Sequence, residues 1–275
     1  GSHGWENRFE NGVWTYHADE FVPALRHAYA ELKADYAAKT GETLSEIDSI
    51  GISGMMHGYL PFDAAGRQLA PFRTWRNTIT GEAAGILSEA FRFNVPERWS
   101  VAHWAQAILN GEAHVPQVAR LNTLAGHVHF LLTGRFALGV DEASGMFPID
   151  PETKGYDAGM VDAFKEKTGI DVTAVFPSPL LAGADAGVLT EEGAKLLDPS
   201  GTLEAGIPLC PPEGDGGTGM VATDAVKPGT GNVSVGTSVF AMVVLGRPLR
   251  KAYPEIDVVM TPMGDPVAMV HCNNG

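Results

Sequence analysis

The stretch "IDSIGISGMMHGYLPFD", beginning at Ile47, limits the folds open to this chain more than any other. Ile50 and Ile52 alternate with small or polar neighbours, the period of a strand, and an extended pattern resumes from Tyr59 to Asp63. Between them stand Met55, Met56 and His57, with Gly54 and Gly58 on either side. A strand that stops at such a group presents it at the end of a sheet, and in open α/β sheets the strand ends are where ligands sit.

Around this strand the period changes. Phe21, Leu25, Ala28, Leu32 and Tyr36 recur at helical spacing over residues 19–36, with Pro23 tolerated near the start. After the strand, expected over residues 47–53, a hairpin spans 59–75 and turns at "DAAGRQ". A helical stretch over 80–134 is broken at "NVPERWS" and near Pro116, and it closes at Gly134 as a C-terminal cap. Residues 141–179, rich in Pro, Gly and Asp, read as surface loops with one short helix at 160–167. A helix at 191–197 precedes "GIPLCPPEGDGGTGMVATDAV", which reads as strand, glycine-rich turn and small-residue helix. "NVSVGTSVFAMVVL" reads as two strands around a tight turn. The expectation is an α/β fold with a mixed sheet, divided near Thr223 into residues 1–223 and 224–275, without internal repeats.

The 275 residues are 44% hydrophobic, enough for a sizeable core in one large domain or two smaller ones. Nineteen basic against thirty-three acidic residues give a net charge of −14, which argues against nucleic acid and anionic membrane as partners. An anionic small molecule is still compatible, because a few backbone N–H groups at a helix start can hold phosphate inside an acidic protein. Cys210 and Cys272 make no disulfide framework and no zinc-type cluster occurs, so the reducing cytoplasm fits and no protein-held metal is expected. No apolar run approaches the roughly 20 residues that span a bilayer, and the start lacks the order of a signal peptide. The chain opens in "GSHGWENRFENGVWTY" without an initiator Met and closes on "VAMVHCNNG"; it is expected to be a fragment.

Four groups can carry chemistry. Asp215, between glycines in "PPEGDGGTG", is placed where backbone approaches a ligand closely and can accept a proton from a substrate hydroxyl; the alternative is a plain helix N-cap. Gly236, Thr237 and Ser238 form a hydroxyl-bearing turn that can hold phosphate oxygens or be an ordinary hairpin. Met56 with His57, and "RTWRNT" with Trp75 and Asn77, offer a polar donor, a flat apolar wall and an amide suited to a polyhydroxylated ligand. Taken singly, such a His or Trp is more often structural.

The order and spacing of "GISGMMHG", "RTWRNT", "DEASGMFPID", "EGDGGTG" and "SVGTS" resemble the FGGY carbohydrate kinases, xylulokinases in particular, across essentially the whole chain. The resemblance implies an actin- and hexokinase-like fold, with ribonuclease-H-like cores facing each other across a cleft. The first domain, nearly complete here, binds the sugar, and the second, only begun, binds ATP. It implies phosphorylation of a ketose hydroxyl, D-xylulose foremost, with ATP and Mg2+. Asp215 is then the general base, and Met56, His57, Trp75, Asn77, Asp215 and Gly216 contact the sugar. Gly236, Thr237 and Ser238 form the second phosphate loop, and a homodimer is the family expectation. The chain departs from the pattern by lacking the first phosphate hairpin and the adenine half. Glu142 stands where relatives commonly carry Asp or Asn, and "TWRNT" replaces the more frequent Trp-Asn-Asp or Trp-Gln-Asp. A kinase for another ketose or polyol, a non-catalytic sugar or nucleotide sensor, and an actin-like ATPase are the alternative readings.

Overall fold

Helix ends in this protein are set by glycines and by short polar caps. The computed structural model describes residues 1–235 and 238–273. An N-terminal hairpin of β1 (Arg8–Glu10) and β2 (Val13–Thr15) turns at Asn11 and Gly12, both at positive φ (50° and 80°), as a tight antiparallel turn requires. Helix α1 (Phe21–Thr40) holds Pro23 in its first turn, where the missing N–H has no intrahelical partner to lose, and ends at Gly41. β3 (Ser53–Gly54) and β4 (Leu60–Phe62) follow. Asp63 closes the turn after β4 by accepting from the N–H groups of Ala65 and Arg67, each at 2.9 Å.

The expected helical stretch divides into α2 (Gly81–Phe91) and α3 (Ser100–Leu109), then β5 (Arg120–Asn122), then α4 (Leu124–Thr133), which ends at Gly134 with φ 70°. The breaks fall at "NVPERWS" and around Pro116 as expected, but β5, antiparallel to β4, is an addition. Beyond it lie β6 (Ala137–Gly139), α5 (Val140–Ser144), α6 (Ala158–Thr168), β7 (Ser178–Leu180), α7 (Glu191–Leu197), β8 (Glu213–Gly214) and α8 (Asp215–Ala222). Residues 140–149 are all buried, which corrects the expectation of surface loops from residue 141. The polar composition of "VDEASG" reflects a buried polar turn at the site, not solvation.

The expected strand at 47–53 is shorter: a bridge from Ile50 to Leu209, then β3 paired parallel to β8 as Ser53 with Glu213 and Gly54 with Gly214. The Gly139 N–H donates to the Pro212 carbonyl at 2.8 Å, joining β6 to the chain entering β8, and β7 pairs parallel to β6. The carboxyl ends of β3, β8 and β6 therefore open toward the same end of this ragged parallel array. Last comes a four-stranded antiparallel sheet of β9 (Gly231–Val235), β10 (Ser238–Val244), β11 (Asp257–Met260) and β12 (Pro266–Asn273), in the order β11-β12-β10-β9. One apolar cluster runs from Trp99, Trp104 and Phe147 through Met56 and Met220 to Met242, Val259 and Val267, so it crosses the expected division at Thr223. A second packs α1, α4 and α7 around Phe21, Leu132 and Leu197. No helix among the described residues is long and apolar enough to cross a membrane.

Candidate active site

Because β3 and β8 are parallel and in register, the residues that follow them emerge side by side. Met55, Met56 and His57 follow β3, and Asp215 and Gly216 open α8 directly after β8. They line one cleft of about 270 Å³, together with Trp75.

Asp215 is the first residue of α8; the N-cap is Gly214, so the capping alternative does not hold. Its carboxyl opens into the cleft, and burial pushes it up from the usual carboxylate range. Backbone N–H groups of Met56, Gly216 and Asp215 itself favour the charged form and hold the shift back.

His57 adopts φ 67°, and Gly58 after it φ 109°, which is how the chain reverses at the end of β3. A Cβ on Gly58 would come 2.7 Å from the Phe72 ring. His57 is buried and its pKa falls to about 3, chiefly through burial and then through the charge of Arg98, so the ring is neutral. Nδ1 lies 3.0 Å from the Gly145 carbonyl, which can only accept, so Nδ1 carries the proton and Nε2 keeps a lone pair for a ligand hydroxyl. Gly145 is bare for this reason: a Cβ there would sit 2.6 Å from Nδ1. The ring stacks on Trp99 at 6.3 Å.

Behind Asp215 lie three buried acids, Asp141, Glu142 and Glu213, and the carboxyls of Asp141 and Glu213 tie the strand ends together. The Gly214 N–H donates to Asp141 Oδ2 at 3.0 Å, and the Glu142 N–H donates to Glu213 Oε2 at 3.2 Å. Each of the two helices α5 and α8 thus has its start satisfied by a carboxyl from the other segment, an exchange that stands in for ordinary N-caps. Burial, then neighbouring carboxyls, raise Glu213 to about 9 and Glu142 well above the usual range. Burial also leads at Asp141, which reaches about 7 although the N–H groups of Gly214 and Gly217 pull it down. Gly139 and Gly217 are the positions where a side chain would run into these carboxyls.

Asn77 is placed elsewhere. Its Oδ1 accepts from the Trp14 N–H at 2.8 Å, while Nδ2 donates to the Trp14 and Thr74 carbonyls at 2.8 and 2.9 Å. It tethers the N-terminal hairpin, is buried, and lies outside the cleft. Gly236 and Thr237 lie outside the described residues, and Ser238 is described only as the first residue of β10.

The cleft also has members that the motifs did not indicate. Arg98 comes from the break between α2 and α3, and Phe240, Met269 and His271 come from β10 and β12. Met269 and His271 are two apart on β12 and so share a face, and Phe240 pairs with His271 across the ladder. The His271 ring meets Trp75 edge-on at 6.3 Å, and burial lowers its pKa. The alternation of "VAMVHCN" was the one available signal for this wall; nothing local distinguishes Arg98.

No protein-family model matches the chain, and no curated protein matches its sequence. Solved structures do match. A xylulose kinase from Rhodospirillum rubrum superposes with a TM-score of 0.78 at 20% identity, covering 96% of this chain and 54% of that one. A gluconate kinase from Lactobacillus acidophilus gives 0.83 at 14% identity, with 99% and 54% covered. A glycerol kinase from Plasmodium falciparum with ADP gives 0.79 at 16% identity, with 98% and 55% covered. The chain spans about half the length of each of these kinases. Over that half, the chain has the fold of the FGGY carbohydrate kinases.

Proposed function

We propose that this chain is the sugar-binding part, with the opening strands of the nucleotide-binding part from residue 224, of an ATP-dependent carbohydrate kinase of the FGGY family. The acceptor proposed is a ketose, D-xylulose foremost, giving D-xylulose 5-phosphate. The observation that carries this reading is the parallel pairing of β3 and β8, which delivers Asp215 and neutral His57 into one cleft against Met56 and Trp75. A base, a hydrogen-bond acceptor for hydroxyls and an aromatic wall are what a polyhydroxylated acceptor calls for.

In this reading Asp215 takes the proton as the sugar O–H bond breaks. The sugar oxygen bonds to the γ-phosphorus, and the bond from that phosphorus to the β–γ bridging oxygen breaks, releasing ADP. His57 Nε2 accepts from a second hydroxyl and fixes the sugar's orientation, so the attacking oxygen is held in line. Among the described residues no group of three or more His, Cys, Asp or Glu side chains is arranged to hold a metal. Magnesium, inferred from the reaction type, would ride on the nucleotide phosphates and neutralise their charge. The backbone turn at Gly236, Thr237 and Ser238 is proposed to meet those phosphates.

The test is ADP release by the full-length parent protein with magnesium-ATP and a panel of ketoses and polyols, beside Asp215→Asn. Selective turnover of D-xylulose that drops by about 10²–10⁴ in the variant supports substrate and base together. Turnover of ribulose or glycerol in its place moves the acceptor but keeps the reaction. If no sugar stimulates ADP release, the kinase reading fails and a sensor of the same fold takes its place; if a sugar is turned over and Asp215→Asn is unimpaired, Asp215 is not the base.

A further inference from the structure

Charge in the cleft is unevenly assigned. Arg98 is the one Lys or Arg among the described residues that line it, and Asp215 is the one carboxylate. His57 and His271 are held toward the neutral form by burial, so they add no positive charge near pH 7. The Arg98 guanidinium, however, is already engaged. It donates to Asp257 at the start of β11, and both side chains are largely buried. Asp257 is itself anchored, because Asn94 Nδ2 donates to its Oδ1 at 3.0 Å and to the Ile256 carbonyl at 3.1 Å. A buried, hydrogen-bonded partner of this kind draws the guanidinium toward β11 and offsets part of its charge, while the remaining charge is still felt at His57 and His271.

We propose that Asp257, by occupying Arg98, sets this site for uncharged sugars and polyols and against sugar acids. The inference deepens the kinase reading above and rests on it. A sugar carboxylate entering the cleft would lose its hydration beside Asp215 and have to compete with Asp257 for the one guanidinium there, a cost that an uncharged hydroxymethyl group does not meet. Arg98 has the planar donor fork that recognises carboxylates, so the means of accepting a sugar acid is present and held in check by one side chain. Asp257 is here a specificity-determining residue acting through Arg98, and it takes no part in the chemistry.

The experiment compares D-gluconate with D-glucitol, which differ only by a carboxylate in place of a hydroxymethyl group, and with D-xylulose, using the full-length parent protein. The wild type is expected to favour the uncharged acceptors over gluconate by tenfold or more in kcat/KM. Asp257→Asn, nearly the same shape, is expected to raise the gluconate-to-glucitol ratio by about tenfold, the scale of one charge-assisted hydrogen bond released to the substrate. The double variant Asp257→Asn with Arg98→Gln is expected to lose that gain. A wild type that prefers gluconate overturns the inference whether or not the variants fold. So does an unmoved ratio in an Asp257→Asn protein that still phosphorylates D-xylulose. Failure of every acceptor, charged or not, removes the kinase reading itself and this inference with it, an outcome distinct from the other two.

Discussion

His57 shows how much one residue is asked to do. It sits at positive φ, donates from Nδ1 to Gly145, and keeps its ring neutral down to about pH 3. In the proposed kinase, His57→Asn keeps a residue type that tolerates the left-handed conformation but loses the positioned Nε2. The KM for the sugar is then expected to rise about tenfold with a smaller change in kcat, read from steady-state kinetics. Between pH 5 and 8 the wild-type sugar affinity should show no step assignable to His57. Glu213 works in the opposite sense. Its folded pKa, about 9, lies above the unfolded value, so its favourable contribution is complete below about pH 4.5 and is lost as pH rises toward 9. Glu213→Gln, a non-titrating mimic of the protonated acid, should therefore gain in stability over the wild type at pH 8 and show little gain at pH 5. Urea denaturation at the two pH values checks this, and the single-site comparison separates Glu213 from buried His57 and His103, whose depressed pKa values act against stability as pH falls below about 6.5.

At the scale of elements, the exchanged carboxyls make α5 and α8 a unit. Asp141→Ala is expected to cost about 1–2 kcal/mol, the loss of a helix cap, and to lower kcat through the displaced start of α8. Denaturant midpoints and kinetics read the two effects separately. Glu213→Ala paired with Asp141→Ala should cost less than the sum of the single changes, because either one alone already breaks the exchange. Gly58→Ala is expected to destabilise by about 1–3 kcal/mol, since it adds both strain at φ 109° and a clash with Phe72. Elements of this kind were partly legible in the sequence. α7 lies at its expected bounds, its start capped by Thr190, and α4 ends where expected because Gly134 stops it, while its start at Leu124 was not marked. β5 and β6, three residues each, carry too few positions to display a period. "VDEASG" looked like a surface loop because burial of its acids depends on partners more than seventy residues away. Asn77 looked like a ligand-binding amide for the converse reason: its partners, in the Trp14 hairpin, lie sixty-three residues upstream.

Across the whole molecule, the cleft is assembled from distant stretches of chain: the ends of β3 and β8, the loop holding Trp75, the break holding Arg98, and the faces of β9, β10 and β12. The strand ends were legible as glycine-bracketed motifs and Trp75 through "RTWRNT", since chemistry of this kind leaves a local mark. The others were not, since a side chain on an ordinary strand face becomes a wall only when another surface meets it. This division separates two kinds of change open to such a protein over generations. The groups proposed to move a proton and orient hydroxyls are pinned by backbone bonds, bare glycines and exchanged carboxyls, so nearly every substitution among them is punished at once. The far wall hangs on strand faces and on one ion pair, where a replacement alters what fits while the rest stays in place. New acceptors should therefore arise by drift along β11 and β12, with an unaltered "GMMHG" and "EGDGG", and relatives that differ in sugar preference should be told apart there first.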